Sequence, residues 1–168
     1  MKYNSIRKMD VSNGPGIRIS IFVQGCDIKC PHCFNKELWD SSKGKDFTEK
    51  EFNLIINLLN NDHINGISWL GGEPTLYLNE IFEINNRIKK LYPNKTIWLY
   101  TGKLFETLNK ELISNVDVIV DGPFINELKN PNLVFKGSEN QRIIDVNKSL
   151  INDNIELYEN NSNLIIDN

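Results

Sequence analysis

The chain has 168 residues, with 19 Lys plus Arg against 22 Asp plus Glu and a formal charge of −3. A 40% hydrophobic fraction at this length supports one domain, residues 1–168, that buries its own core without disulfide staples, which excludes an intrinsically disordered chain. The mild acidity offers no electrostatic footprint for nucleic acid, and no apolar run approaches the roughly 20 residues needed to cross a bilayer. The opening residues Tyr3, Asn4, Arg7, Lys8 and Asp10 are unlike a signal-peptide apolar region, so a cytoplasmic protein without nucleic-acid or membrane partners is expected.

In chain order, the turn signal Asn13-Gly14-Pro15-Gly16 precedes a β-branched run, Ile17 to Val23, which predicts a strand. A segment from Gly25 to about Lys45 follows, too long for an ordinary connection and therefore expected to be functional. Thr48 and Glu51 have capping-box spacing, Phe47 and Phe52 that of a hydrophobic staple, and Phe52, Ile55, Ile56 and Leu59 share one face of the predicted helix. Ile67 to Leu70 predicts a short strand ended by Gly71-Gly72. A second amphipathic helix is predicted through Ile81, Ile84, Ile88 and Leu91, with Glu80 and Glu83 early and Lys89 and Lys90 late to suit its dipole. The unit then repeats as a strand at Thr96 to Tyr100, a helix at Leu104 to Ile113 and a strand at Val116 to Asp121. Shorter strand candidates stand at Leu133 to Phe135 and Arg142 to Val146. The Asn-rich tail from Asn152, with Ile155, Leu157, Tyr158 and Leu164, Ile165, Ile166, suggests an edge strand or hairpin.

Alternating strands and helices predict an α/β fold whose parallel sheet is covered on its faces by helices. The chain is shorter than the roughly 250 residues of a closed eight-fold barrel, so an open, curved partial TIM-like barrel or a doubly wound sheet is expected. In either, ligands gather at the carboxyl ends of the strands. Cys26 to Cys33, Gly71-Gly72-Glu73-Pro74, Thr101-Gly102 and Asp121-Gly122-Pro123 all follow predicted strands and should meet on one rim.

The three cysteines, Cys26, Cys30 and Cys33, are odd in number and confined to eight residues, a pattern of metal ligation rather than of a disulfide framework. A closed structural zinc site needs four ligands. The only nearby fourth donor, His32, adjoins Cys33, where joint ligation of one small tetrahedral ion is strained. A 4Fe-4S cluster held by three thiolates leaves one iron open to bind a further ligand, whereas an electron-carrier ferredoxin fills all four sites.

CxxxCxxC after the first predicted strand, with GGEP after the second, resembles the radical S-adenosylmethionine superfamily. The resemblance implies that Cys26, Cys30 and Cys33 ligate a 4Fe-4S cluster whose open iron is chelated by the methionine part of S-adenosylmethionine. It further implies that Gly71, Gly72 and Glu73 hold the methionine amino group, and that His32, Cys33 and Phe34 border the adenine. Thr101, at the next strand end, joins the candidate cofactor-binding residues. Reductive cleavage would yield a 5′-deoxyadenosyl radical that abstracts hydrogen.

The stretches GPGIRISIFVQGC, CPHCFN and GSENQRIID are similar, more narrowly, to the anaerobic ribonucleotide reductase activating proteins. That resemblance implies a glycyl-radical activase whose partner is the glycine loop of the reductase large subunit, with a low-potential donor such as flavodoxin. Alternative readings are a pyruvate formate-lyase-type activase, a 7-carboxy-7-deazaguanine synthase-like enzyme, or a metal-binding or electron-transfer module. Other polar and aromatic residues carry plainer expectations. Arg18 suggests a surface or rim ion pair, Asp121 a cap for the next turn, Tyr100 packing or cofactor contact, and Trp39, Trp69 and Trp98 core or rim packing, while Asn140 and Arg142 have no assigned role.

Overall fold

Period-2 alternation along the predicted strands sorts their residues onto two unlike faces of a single sheet. The computed structural model describes residues 1–159 and arranges them as one seven-stranded sheet with, among those residues, four α-helices. The strands are β1 (Lys2–Asp10), β2 (Ile17–Val23), β3 (Lys45–Asp46), β4 (Ile64–Gly71), β5 (Thr96–Tyr100), β6 (Val118–Asp121) and β7 (Arg142–Asp145). The helices are α1 (Glu49–Leu59), α2 (Leu78–Leu91), α3 (Lys110–Ile113) and α4 (Val146–Asn152). The sheet order is β3-β1-β2-β4-β5-β6-β7. Its centre, β2, β4, β5 and β6, is parallel and its outer pairings are antiparallel. Because β3 and β7 end the order without pairing with each other, the sheet is open. No helix among the described residues is long and apolar enough to cross a membrane.

Helix α1 starts as its sequence dictates. Thr48 Oγ1 accepts from the Lys50 N–H at 3.3 Å, and Glu51 Oε2 accepts from the Thr48 N–H at 2.9 Å. In α2, Lys89 does more than suit the dipole, since its Nζ lies 2.7 Å from Asp117 Oδ2, which also accepts from the Ile97 N–H.

The helices do not cover both faces, contrary to the expectation from alternation. Ile19, Ile21, Val23, Ile67, Trp69, Ile97, Leu99 and Ile119 form one core with Phe52, Ile55, Ile81, Ile88, Ile113 and Val146 of the helices. On the opposite face Trp98, Val118 and Val120 make a smaller cluster covered by Phe135, Tyr158 and other side chains outside the helices. The Asn13 carbonyl also reaches this face, accepting from Ser68 Oγ at 2.6 Å. Three parallel strand pairings are too few to close a cylinder, so irregular chain takes the place of a second helical layer.

Several local expectations are corrected. Strand β1 is absent from the expectation because KYNSIRKMD lacks a β-branched run and is covered by β3 over only two residues, which leaves much of its length exposed. The helix expected over Leu104 to Ile113 is a 3-10 turn at Phe105–Thr107 followed by the single-turn α3. Asn109 Oδ1 accepts from the Glu111 and Leu112 N–H groups and so begins a new helix. β6 starts at Val118, since the Val116 N–H is spent on the Ile113 carbonyl in a turn. Leu133 to Phe135 is not a strand; Phe135 has φ +61° and sets its ring edge-on to Trp98 at 5.5 Å. Val146 belongs to α4, whose cap Asp145 accepts from the Lys148 N–H at 3.0 Å. The tail forms one isolated bridge, Leu157 to Ile144, rather than a strand, and Leu164, Ile165 and Ile166 lie outside the described residues.

Arg18 is not at the surface. It is fully buried on the face away from the helices, donating to Ser68 Oγ and Thr96 Oγ1 at 2.8 Å and to the Ile67 and Thr96 carbonyls, with its guanidinium 5.5 Å from the Trp98 ring. Burial lowers its pKa to about 10, still far above neutrality. Five fixed donors explain why an arginine is tolerated there without a carboxylate in contact. Arg142, by contrast, is a true ion-pair residue. It joins buried Asp121 to Glu106, with Nη2 at 2.5 Å and 2.8 Å from their carboxylates. Asp121 also accepts from the Phe105 N–H at 2.8 Å, which is more than the turn cap expected of it.

Each of these two arginines yields a prediction. Arg18→Lys, which keeps the charge but loses the planar fork, is expected to lower unfolding free energy by about 2 kcal/mol through unsatisfied Ser68, Thr96 and Ile67 acceptors, read as a lower urea midpoint at unchanged m. Hydrogen bonding from Arg142 holds the Glu106 carboxyl down at about 2, below its ordinary value of 4.5. The folded-state pKa is depressed, so this contribution to stability is complete above about pH 4.5 and is lost as pH falls toward 2. Acid titration of Glu106→Gln should therefore show a shallower loss of stability across that window.

Candidate functional site

Parallel strands bring their carboxyl ends to one edge of a sheet, and here Val23, Gly71, Tyr100 and Asp121 end β2, β4, β5 and β6 together. The loops that follow enclose a cavity of about 430 Å³, within the ordinary size range of small-molecule sites. Cys26, Cys30, Cys33, Phe34, Gly71, Gly72, Glu73 and Thr101 all line it. His32 is the exception among the candidate residues. It is exposed, does not line the cavity, and takes a left-handed φ of +60°.

The cysteine loop is a closed excursion. Its neck is made by the Gly25 N–H on the Leu38 carbonyl at 2.7 Å and the Cys26 N–H on the Trp39 carbonyl at 3.2 Å. Buried Gln24 locks the base, donating through Nε2 to the Glu37 and Asp40 carbonyls at 2.8 Å and 3.0 Å. Within the loop the Cys33 N–H meets the Cys30 carbonyl at 3.2 Å, and the Asn35 N–H donates to Cys33 Sγ at 3.4 Å. The three thiols are free and partly exposed. Burial pushes the Cys26 thiol pKa up, partly offset by the Lys29 and Ile28 N–H groups, which favour the thiolate.

The donor set fits an iron–sulfur cluster better than a lone ion. A tetrahedral zinc would draw its thiolates to within about 3.8 Å of one another, given Zn–S bonds of about 2.3 Å. Among the described residues no three Cys, His, Asp or Glu side chains converge that way. Three soft thiolates lining one cavity are the donor type that an iron–sulfur cluster takes.

Gly71 and Gly72 serve the cysteine loop directly. Gly71 has φ +109°, and a Cβ on Gly72 would stand 2.2 Å from the Gly25 carbonyl oxygen. This approach lets the Gly72 N–H reach the Val23 carbonyl at 3.0 Å and the Glu73 N–H the Gly25 carbonyl at 2.7 Å. Glu73 is buried and heavily committed to the chain itself. Its Oε1 accepts from the Thr75 N–H and from the Thr75 and Thr101 hydroxyls, at 3.0, 2.6 and 2.7 Å, and its Oε2 from the Gly102 N–H at 2.9 Å. The Thr101 hydroxyl, donating to Glu73, also accepts from the Lys103 N–H at 3.0 Å. These two side chains fix the rim, and the cavity is offered mainly their neighbouring backbone.

Residues that the sequence reading left to packing or unassigned also reach the site. Trp39 and Tyr100 line the cavity, each with a buried polar hydrogen that finds no acceptor among the described residues, and burial raises the Tyr100 phenol pKa well above its ordinary range. Phe124, Phe135, Lys136 and Gln141 arrive from the excursion between β6 and β7. The only sequence signal for that excursion is the GSENQR stretch, in which Gln141 binds the Gly137 and Ser138 N–H groups and Asn140 donates to the Pro123 carbonyl.

Replacing Glu73 by Gln tests its role. An amide must set an N–H against the Gly102 N–H or against the donors from Thr75 and Thr101, so Glu73→Gln is expected to cost about 1–3 kcal/mol in ligand-free protein, measured by urea unfolding. A residue serving only a bound ligand would leave that stability unchanged.

The comparisons with known proteins agree with the site. The family of 4Fe-4S single cluster domains matches residues 12–144. The anaerobic ribonucleoside-triphosphate reductase-activating protein of Escherichia coli (strain K12) is 39% identical over 148 residues, covering 84% of this chain and 96% of the relative. Proteins of the same name from Enterobacteria phage T4 (38% over 147 residues, 85% and 93%) and Vibrio cholerae (37% over 150 residues, 85% and 97%) are similarly related. With its cysteine loop on the strand-end rim, the chain belongs to the family of anaerobic ribonucleoside-triphosphate reductase-activating proteins and carries their 4Fe-4S single cluster domain.

Proposed function

We propose that this chain is a radical S-adenosylmethionine enzyme that activates an anaerobic ribonucleotide reductase in the cytoplasm by generating a glycyl radical on it. The observation that carries this reading is that Cys26, Cys30 and Cys33 face one cavity at the carboxyl ends of the parallel strands, with no fourth cysteine in the chain. Three thiolates would hold a 4Fe-4S cluster and leave one iron for the amino and carboxylate groups of S-adenosylmethionine. When bound, the cluster and this cofactor supply one-electron cleavage of the sulfonium and a carbon radical able to take hydrogen from a glycine α-carbon.

The protein's own share is placement and exclusion of water. Left-handed Lys29 and His32 turn the backbone so that the cysteines share one loop face. Phe34 offers its ring to the adenine, with Cys33 beside it on the cavity wall, while exposed His32 stands off the cavity. Glycines 71 and 72, with the rim held by Glu73 and Thr101, present backbone to the methionine end. The sheet, read as an open partial TIM-like barrel, covers its helix-free face with loops that reach the cavity rim, and the reductase glycine loop enters the cavity at that rim. A low-potential donor such as flavodoxin reduces the cluster.

Anaerobic reconstitution with iron and sulfide, followed by reduction with S-adenosylmethionine, should produce 5′-deoxyadenosine, and Cys30→Ser should abolish it. Adding the reductase should yield a glycyl radical seen by EPR and absent when the reductase glycine is replaced by alanine. A signal that survives that replacement, or a protein that takes up zinc and never cleaves the cofactor, overturns the proposal. Cofactor cleavage without any reductase signal points to a small-molecule substrate instead.

A further inference from the structure

Trp39 stands across the neck of the cysteine loop from the first cysteine. Its carbonyl accepts from the Cys26 N–H at 3.2 Å, and it lines the same cavity as all three thiols. The indole Nε1–H is shielded from solvent and donates to nothing among the described residues. An indole nitrogen is a donor only, and burying it without an acceptor is unfavourable, so a buried orphan at a ligand site points to an acceptor supplied by the ligand. Lys36 is no such acceptor, being a cation 5.9 Å over the ring. The contrast within the molecule is Trp69, whose indole N–H in the helix-facing core is satisfied by Asn85 Oδ1 at 2.9 Å.

We infer that the Trp39 indole N–H donates a hydrogen bond to a sulfur of the iron–sulfur cluster and thereby sets the cluster's reduction potential, an inference that rests on the cluster reading above. Reduction adds negative charge that spreads onto the sulfurs, and a fixed N–H dipole stabilises that charge more than it stabilises the oxidised form. Trp39 is thus a tuning residue that makes the cluster easier to reduce, while the cysteines remain its ligands. Its place at the neck ties it to loop closure, because the Cys26 N–H on the Trp39 carbonyl joins the two residues through the backbone while both line one cavity.

The experiment compares the full-length chain, reconstituted anaerobically, with Trp39→Phe, which keeps an aromatic ring and removes the donor. An EPR-monitored redox titration should show the variant's midpoint displaced to more negative potential, by about 59 mV if the N–H favours the reduced form tenfold. Iron content should be unchanged. In a second measurement, wild-type protein with nitrogen-15-labelled indole should show nitrogen coupling to the reduced cluster by pulsed EPR. An unchanged midpoint at full iron content, or no coupling in the labelled wild type, overturns the inference. If the Phe variant fails to hold iron, the labelled wild-type measurement decides alone. A wild-type chain that takes up no iron defeats the cluster reading itself, a result distinct from a cluster that forms but ignores Trp39.

Discussion

Two backbone hydrogen bonds hold the rim together, Gly72 N–H to the Val23 carbonyl and Glu73 N–H to the Gly25 carbonyl. They carry the parallel ladder of β2 and β4 one step past the strands, into the start of the cysteine loop. That step is open only to glycine, because a side chain on residue 72 would collide with the Gly25 carbonyl. Glu73 then extends the tie sideways, its carboxylate binding Thr101 and Gly102 after β5. Three strand ends are thereby fixed relative to one another by consecutive residues. The rigidity of the cysteine loop follows from this contact and from the neck that Leu38 and Trp39 close.

The two faces of the sheet do different work. One carries nearly all the aliphatic residues and the helices, and supplies the ordinary hydrophobic drive to fold. The other carries Arg18, Ser20, Ser68, Trp98 and Tyr100, covered by irregular chain. A polar inner face is costly unless its groups are satisfied, and Arg18 shows how that is met, with donors reaching two hydroxyls and two carbonyls. The same face leads up to the cavity at the carboxyl ends, so the site is built where the fold has spent least of its apolar surface. Loops take the place of a second helical layer on that side.

Legibility in the sequence followed the range of the interactions. The capping box at Thr48 and Glu51 and the β-branched run of β2 are local and found as read, while the apolar stripe of α2 is buried at Ile81, Ile84 and Ile88 but leaves Leu91 exposed at the helix end. Asn109 was misread as helix interior because its side chain competes for backbone donors only a few residues on, a choice that periodicity does not register. β1 escaped notice because β3 covers only two of its residues on the outer side, which spares it the patterning that a strand buried along its whole length must show. At the site, the cysteine spacing and GGEP were visible as strings. That Glu73 serves Thr101 and Gly102, and that Trp39 meets Cys26, depends on residues 28 and 13 positions apart.

By itself the sequence determined an α/β chain with three thiols in one loop and glycines at the next strand end, because these are matters of residue type and short spacing. Only the tertiary structure decided that the helices crowd one face, that Arg18 is buried without a carboxylate contact, and that Asp121 is locked by Arg142. The physical reason is that satisfaction of a buried polar group is a property of what lies across the sheet from it, and strand order brings those partners together from distant parts of the chain.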